Sequence, residues 1–106
     1  MTMKNATTAA YAASLVIKAE PGVLHNLTGY NAKTSAQFIQ IHDAASLPAD
    51  NAVPAMIITV PASSNFSFQL PVLGRQFANG VVVCNSSTGP TKTIGSADCW
   101  FDAQTL

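Results

Sequence analysis

The chain has 106 residues, of which only 9% are charged, and its five basic and five acidic residues give a formal net charge of zero. This length suits one domain with one core, and the charged fraction is far below the roughly 25% of an average soluble domain. The Lys and Arg residues are scattered, which argues against nucleic-acid binding because that function needs clustered cations to displace phosphate counterions. The apolar runs are far shorter than the roughly 18 residues of a transmembrane helix, so no membrane segment is expected.

The N-terminal residues differ in composition from the rest of the chain. Ala and Thr dominate them, and a run of larger apolar side chains begins only at Leu15. The segment lacks the continuous apolar stretch of a secretory signal peptide. We therefore predict a flexible N-terminal arm over residues 1–10, followed by a β-sandwich domain over residues 11–106.

Short strand patterns separated by Gly, Pro, Asn and Ser fill the remainder of the chain. Phe66, Phe68 and Leu70 alternate with polar residues, which is the period of two expected for a strand with one buried face. Residues 55–60 form a nearly continuous apolar run instead, which predicts a strand buried on both faces. The predicted strands cover residues 13–19, 23–30, 37–42, 55–60, 66–70, 81–85 and 97–103.

This spacing, with no sustained helical period, predicts an all-β fold. About seven strands in one chain of this length are typical of a single antiparallel β-sandwich. Within the strand at residues 37–42, Ile39 and Ile41 are expected to face the core, since alternate side chains share a face. Periodicity does not reveal strand order, so jelly-roll and immunoglobulin-like connectivity both stay open.

His42 and Asp43 are the adjacent pair that invites a metal or acid–base interpretation. Both residue types bind metals and transfer protons, but neighbouring residues on a strand point to opposite faces. Asp50 and Asn51 offer further oxygen ligands, yet their spacing from Asp43 matches no calcium loop. We therefore predict no catalytic residue, no metal and no cofactor, and expect the protein not to be an enzyme.

Cys84 and Cys99 both lie in strand-like runs. A buried free cysteine behaves as a small hydrophobe, whereas a cross-strand disulfide requires an oxidising compartment. The sequence leaves the two states open. A nucleophilic Cys–His pair has no local motif to support it.

Four N-x-[ST] sequons begin at Asn5, Asn26, Asn65 and Asn85. Such sequons acquire glycans only in a secretory pathway. They support a minor hypothesis, a small secreted glycoprotein, which rests on them alone.

Four segments of the chain resemble small virion proteins of tailed bacteriophages. The resemblance spans roughly residues 15 to 104, and none of the four segments is a catalytic motif. The segments are AQFIQIHD at 36–43, LPAD at 47–50, NGVVVCNSS at 79–87 and TKTIGSADCWF at 91–101.

This resemblance implies a structural component of a phage particle, with a capsid decoration (cement) protein as the best fit. It implies the major capsid protein as partner, a homotrimer as first expectation, and the capsid surface of the virion as location. Loops are the expected contact surfaces, together with an arm that orders on docking. The predicted interface residues are Met1, Thr2, Lys4, Asn5, Leu47, Asp50, Val53, Thr88 and Lys92.

The alternative function is a tail or fibre accessory module that binds a receptor or a glycan. Exposed aromatic side chains stack on sugars, and Tyr11 and Tyr30 are the residues this alternative would use. Trp100 and Phe77 are also aromatic, but core packing explains them equally well.

Overall fold

The computed structural model describes residues 2–106, which form nine strands and two antiparallel sheets. This confirms the predicted β-sandwich. Sheet A contains β1 (Lys4–Thr7), β9 (Cys99–Thr105), β3 (Gly22–Asn31) and β6 (Ser64–Gln69), in that order, with the short β7 (Arg75–Phe77) also paired to β3. Sheet B contains β2 (Ser14–Lys18), β8 (Val81–Ser86), β4 (Gln37–His42) and β5 (Met56–Val60), in that order. No helix that could cross a membrane occurs within residues 2–106.

The strand order is that of a jelly roll. The strands form nested antiparallel pairs, β1 with β9, β2 with β8, β3 with β6, and β4 with β5. Nested pairing is what a single long hairpin produces when it is rolled into two facing sheets, and it defines the eight-stranded jelly roll. The structure therefore decides between the two connectivities that the sequence left open.

The predicted flexible arm over residues 1–10 contains an edge strand in the structure. Lys4–Thr7 pairs with β9 in register, from Lys4 opposite Thr105 to Thr7 opposite Asp102. The buried Thr8 continues this contact, since its amide donates to the Phe101 carbonyl at 3.0 Å and its Oγ1 accepts from the Phe101 amide at 3.1 Å. The segment is ordered by backbone pairing rather than by apolar side chains, so periodicity gave no sign of it.

The strand predicted to be buried on both faces, residues 55–60, is an edge strand. β5 pairs only with β4 among the described strands, and its outward-facing Ile57 is 45% exposed. Ile58 and Val60 face the core. An apolar run thus marks a strand here, while its position at the sheet edge leaves one face open.

The core lies between the two sheets and is filled by their inward-facing residues. Ile39 and Ile41 of β4 are fully buried in it, as predicted, beside Phe101 and Leu27 of sheet A. Gly29 lies on this inner face, where a Cβ would clash with the Phe66 ring and with the Trp100 carbonyl oxygen. The glycine therefore lets the Phe66 ring close over the middle of β3.

The two cysteines are free thiols separated by sheet B. Cys99 belongs to the core cluster between the sheets. Cys84 pairs across the strands with Gln40 and therefore points away from that core. Burial raises the pKa of the Cys84 thiol to about 11 and that of Cys99 to about 12, so both stay protonated and poorly nucleophilic near neutral pH.

Candidate functional site

The outer face of the two central strands of sheet B, β8 and β4, is covered by chain. Gln40, His42, Val82, Cys84 and Ser86 all alternate with core residues, yet each is buried. Their cover is a pair of connections, residues 43–55 between β4 and β5 and residues 87–94 between β8 and β9, which we call the loop layer. The sandwich therefore has a third layer on one side.

Gln40 fastens the loop layer to the sheet. Its Nε2 donates to the carbonyl oxygens of Thr88, Gly89 and Thr91 at 2.9, 2.8 and 3.1 Å. Its Oε1 lies 3.2 Å from His42 Nε2, and since that oxygen can only accept, the imidazole donates from Nε2. The two N–H groups of one buried amide are thus shared among three loop carbonyls, and its oxygen sets the tautomer of a neighbouring histidine.

The two connections of the loop layer also bind each other. Asn51 donates its amide to the Lys92 carbonyl at 2.8 Å, and Lys92 donates its amide to the Ala52 carbonyl at 2.8 Å. The Lys92 ammonium, only 3% exposed, lies 2.6 Å from Asp50 Oδ1, and the same oxygen accepts the Ile94 amide at 3.1 Å. The hydrogen bond from Lys92 holds the pKa of Asp50 below its ordinary value.

Of the predicted interface residues on the loops, four lie at the surface of the loop layer and one does not. Leu47, Asp50, Val53 and Thr88 are exposed, with Val53 at 77%. Lys92 is buried beneath them, so its side chain is not a contact residue. The sequence could not show this, because the burial of Lys92 depends on Asp50, forty-two positions away.

The predicted interface residues near the N-terminus lie on the other sheet. Lys4 and Asn5 are exposed on β1 of sheet A, and the exposed Thr2 precedes them. Met1 lies outside the described residues. The structure therefore divides the predicted interface into a loop-layer part and a β1-edge part.

The outer face of sheet A, which we call the open face, carries polar and aromatic side chains, and none of the residues that form it is fully buried. The cross-strand register places these residues in three rows running across the strands. The rows are Trp100, Tyr30 and Asn65; Thr7, Asp102, Thr28 and Ser67; and Asn5, Gln104, Asn26 and Gln69.

Hydrogen bonds order the side chains of the open face. Asn26 Nδ2 donates to Gln104 Oε1 at 2.7 Å, and Thr7 donates its hydroxyl to the Asp102 carboxylate. Each of these contacts joins residues on different strands. The side chains of Asn26, Gln104, Thr7 and Asp102 are therefore held in fixed positions at the surface.

An aromatic cluster occupies one end of the open face. Trp100 and Tyr30 are direct cross-strand partners, and the ring of Tyr11 lies 5.2 Å from that of Trp100 at an interplanar angle of 57°. Tyr11 reaches it because residues 9–11 bulge out of the contact with β9, between Thr8 and the bridge of Ala12 to Cys99. Tyr11 and Tyr30, the two residues that the glycan-binding alternative would use, thus both neighbour Trp100.

His42 and Asp43 are separated, as the sequence predicts. His42 lies under the loop layer, where burial, helped by the nearby Lys92 charge, lowers its pKa. Asp43 accepts the backbone amides of Asn79 at 2.8 Å and Ala78 at 3.2 Å, and these hydrogen bonds, the one from Asn79 foremost, lower its pKa. It also borders a cleft of about 560 Å³ beside Phe77, but its oxygens already serve the 78–80 connection.

A buried polar network closes one end of the sandwich, and its residues carried no signal in the sequence. Gln37 Nε2 donates to Asn31 Oδ1 at 2.9 Å and to Asp98 Oδ1 at 2.8 Å, and Asn85 Nδ2 donates to that same Asp98 oxygen at 3.1 Å. These contacts fix the 95–98 segment to both sheets. Because Asn85 is fully buried, the sequon that begins there cannot carry a glycan in the folded protein.

Within residues 2–106, no three His, Cys, Asp or Glu side chains come together as a metal site would require. Comparison of the chain with protein-family models, with curated proteins and with solved structures finds no match in any of the three.

Proposed function

We propose that this chain is a non-enzymatic structural protein of a tailed-bacteriophage virion, which decorates the capsid and bridges neighbouring capsomers. The observation that carries the proposal is the loop layer, a rigid surface with exposed apolar side chains. Val53, Leu47 and Ile94 are exposed on it. Backbone hydrogen bonds of residues 51, 52 and 55 and the Lys92–Asp50 pair hold the chain on both sides of Val53.

Such a surface binds at low entropic cost, since its loops are ordered before contact. The surface combines exposed apolar side chains with polar ones such as Thr88 and Asp50, and protein interfaces contain both types, apolar at the core and polar at the rim. The low charge and zero net charge of the chain favour association between neighbouring copies. The jelly roll is itself common among viral capsid proteins, which supports the proposal by analogy of fold.

Three of the side chains that could perform catalysis have structural partners instead. Asp43 binds the 78–80 connection, Asp50 binds Lys92, and His42 binds Gln40. Both thiols are buried and protonated. These contacts support a binding role for the chain.

The first test is quantitative mass spectrometry of purified native particles. We expect a copy number equal to, or a simple fraction of, that of the major capsid protein. A handful of copies per particle would move the protein to the tail or a fibre, and absence from the particle would refute the virion role. Sedimentation of the purified protein tests the expected trimer.

The contact surface is tested with a matched pair of variants. Val53→Asp places a charge on the loop layer and should reduce binding to undecorated capsids about tenfold or more. Val72→Asp places the same charge at the exposed turn between β6 and β7 and should leave binding unchanged. If Val72→Asp weakens binding and Val53→Asp does not, the contact surface is that turn and not the loop layer.

A further inference from the structure

We infer that the open face is a binding site for a neutral carbohydrate chain, with the Tyr11–Trp100–Tyr30 cluster as stacking platform and the amide rows as hydroxyl-binding groups. This site lies on the sheet opposite the loop layer. The inference is independent of the proposed virion role.

The chemistry of the cluster points to a sugar. The apolar C–H face of a pyranose ring packs against aromatic rings, and Tyr and Trp combine such a surface with a polar edge. Tyr11 is 48% exposed although it contacts Trp100. The bulge at residues 9–11 thus extends the aromatic surface outward, where a side chain serving only the core would be covered.

The rows beside the cluster suit hydroxyl groups. A sugar hydroxyl both donates and accepts, and the side-chain amides of Asn26, Gln104 and Gln69 offer donors and acceptors together. The bond from Asn26 to Gln104 uses one N–H and one oxygen, which leaves other positions on both amides to meet a ligand. Because this bond already orders Asn26 and Gln104, binding does not have to order these two side chains.

The charge of the open face selects a neutral ligand. Asp102 is the only charged residue in its three rows, and no Lys or Arg is among them. Phosphate- or sulfate-bearing polymers need cations at the surface. The buried core of a protein–protein interface is usually apolar. The two rows of amides and hydroxyls do not provide such a core, which argues against a protein partner.

The length of the face suits an oligosaccharide rather than one sugar. The three rows follow one another along β9 at Trp100, Asp102 and Gln104. The first and last rows are four residues apart, which is about 13 Å at the usual rise per residue. This distance accommodates two to three sugar rings. We therefore expect longer oligosaccharides to bind more tightly than the corresponding monosaccharides.

The test uses the single tryptophan of the chain, Trp100, as a reporter within the site. The purified protein is titrated with maltohexaose, cellohexaose, xylohexaose and mannohexaose, with a hexamer of galacturonic acid as anionic comparison. We expect saturable changes in Trp100 fluorescence with at least one neutral hexasaccharide, at a dissociation constant below about 1 mM. Isothermal titration calorimetry measures the same affinity without relying on the reporter.

Variants then assign the binding to the open face. Tyr11→Ala and Gln104→Ala should each weaken binding about tenfold, whereas Tyr11→Phe should retain it because the ring is kept. Ile57→Ala, on the outer face of sheet B, is the matched control and should leave affinity unchanged. Circular dichroism confirms that each variant is folded.

Two results would overturn the inference. One is failure of all four neutral hexasaccharides to bind, or binding of the anionic hexamer alone. The other is equal loss of affinity in Ile57→Ala and Tyr11→Ala. Neither result bears on the copy number of the protein in virions, so the two proposals fail separately.

Discussion

The outer faces of the two sheets differ in whether their central strands are covered or exposed. The central strands of sheet B present Gln40, His42 and Cys84 outward, and the loop layer buries them. The central strands of sheet A present Trp100 and Gln104 outward, and both keep part of their surface in solvent. Polarity of the sequence does not explain the difference, since both faces carry glutamines.

The difference lies in which hydrogen bonds the polar groups make. Gln40 binds loop carbonyls, so the loops cannot leave without exposing unsatisfied groups on both sides. Gln104 binds another side chain of its own sheet, which leaves the face free for solvent or a ligand. The same residue type therefore acts as an anchor on one sheet and as surface on the other.

The largest expected effect comes from comparing Gln40→Ala with Gln104→Ala. Gln40→Ala removes the hydrogen bonds to three loop carbonyls and to His42, and it should destabilise the protein by about 3 kcal/mol. Gln104→Ala, on the open face, should cost no more than about 0.5 kcal/mol. Urea denaturation measures both, and equal costs would contradict the contrast between the faces.

A smaller effect is expected at the edge of sheet A. Removing residues 1–7 deletes the backbone pairing of β1 with β9 and should lower stability by about 2 kcal/mol. Replacing Lys4 and Asn5 together by Ala keeps that pairing and should change stability by less than about 0.5 kcal/mol. A truncated protein as stable as the full chain would show that β1 contributes nothing, as a flexible arm would.

The pH dependence of stability should report on the loop layer. Burial lowers the pKa of His42 below its ordinary value of 6.5, so the unfolded chain binds this proton more readily than the folded one. Stability is therefore complete above pH 6.5 and declines as the pH falls below it. Denaturant titrations between pH 7.5 and 5 should show this decline, and His42→Gln should remove it.

The smallest expected change is in thiol labelling, which tests the loop layer without unfolding the protein. A pKa of about 11 for Cys84 instead of 9.0 reduces its thiolate fraction near neutral pH about 100-fold. We expect slow reaction of both thiols with a disulfide reagent in the native state. Gln40→Ala should accelerate labelling of Cys84, beneath the loop layer, more than that of Cys99, in the core.

The sequence by itself determined the all-β class and seven of the nine strands found in residues 2–106. Alternation at Phe66 and Phe68, and the branched run at 81–85, are local signals that survive in any arrangement of strands. Inward placement of Ile39 and Ile41 follows from the same period of two. The sequence also marked Tyr11 and Tyr30 as candidates for stacking on a sugar.

Only the tertiary structure decided the jelly-roll order, the edge strands and the contrast between the faces. β1 is polar and β7 has only three residues, so their existence depends on partners distant in sequence. Lys92 is buried because Asp50 and Ala52 meet it, and Tyr11 reaches Trp100 because the chain bulges beside β9. Periodicity describes which side of a strand is apolar, whereas long-range pairing decides what covers the other side.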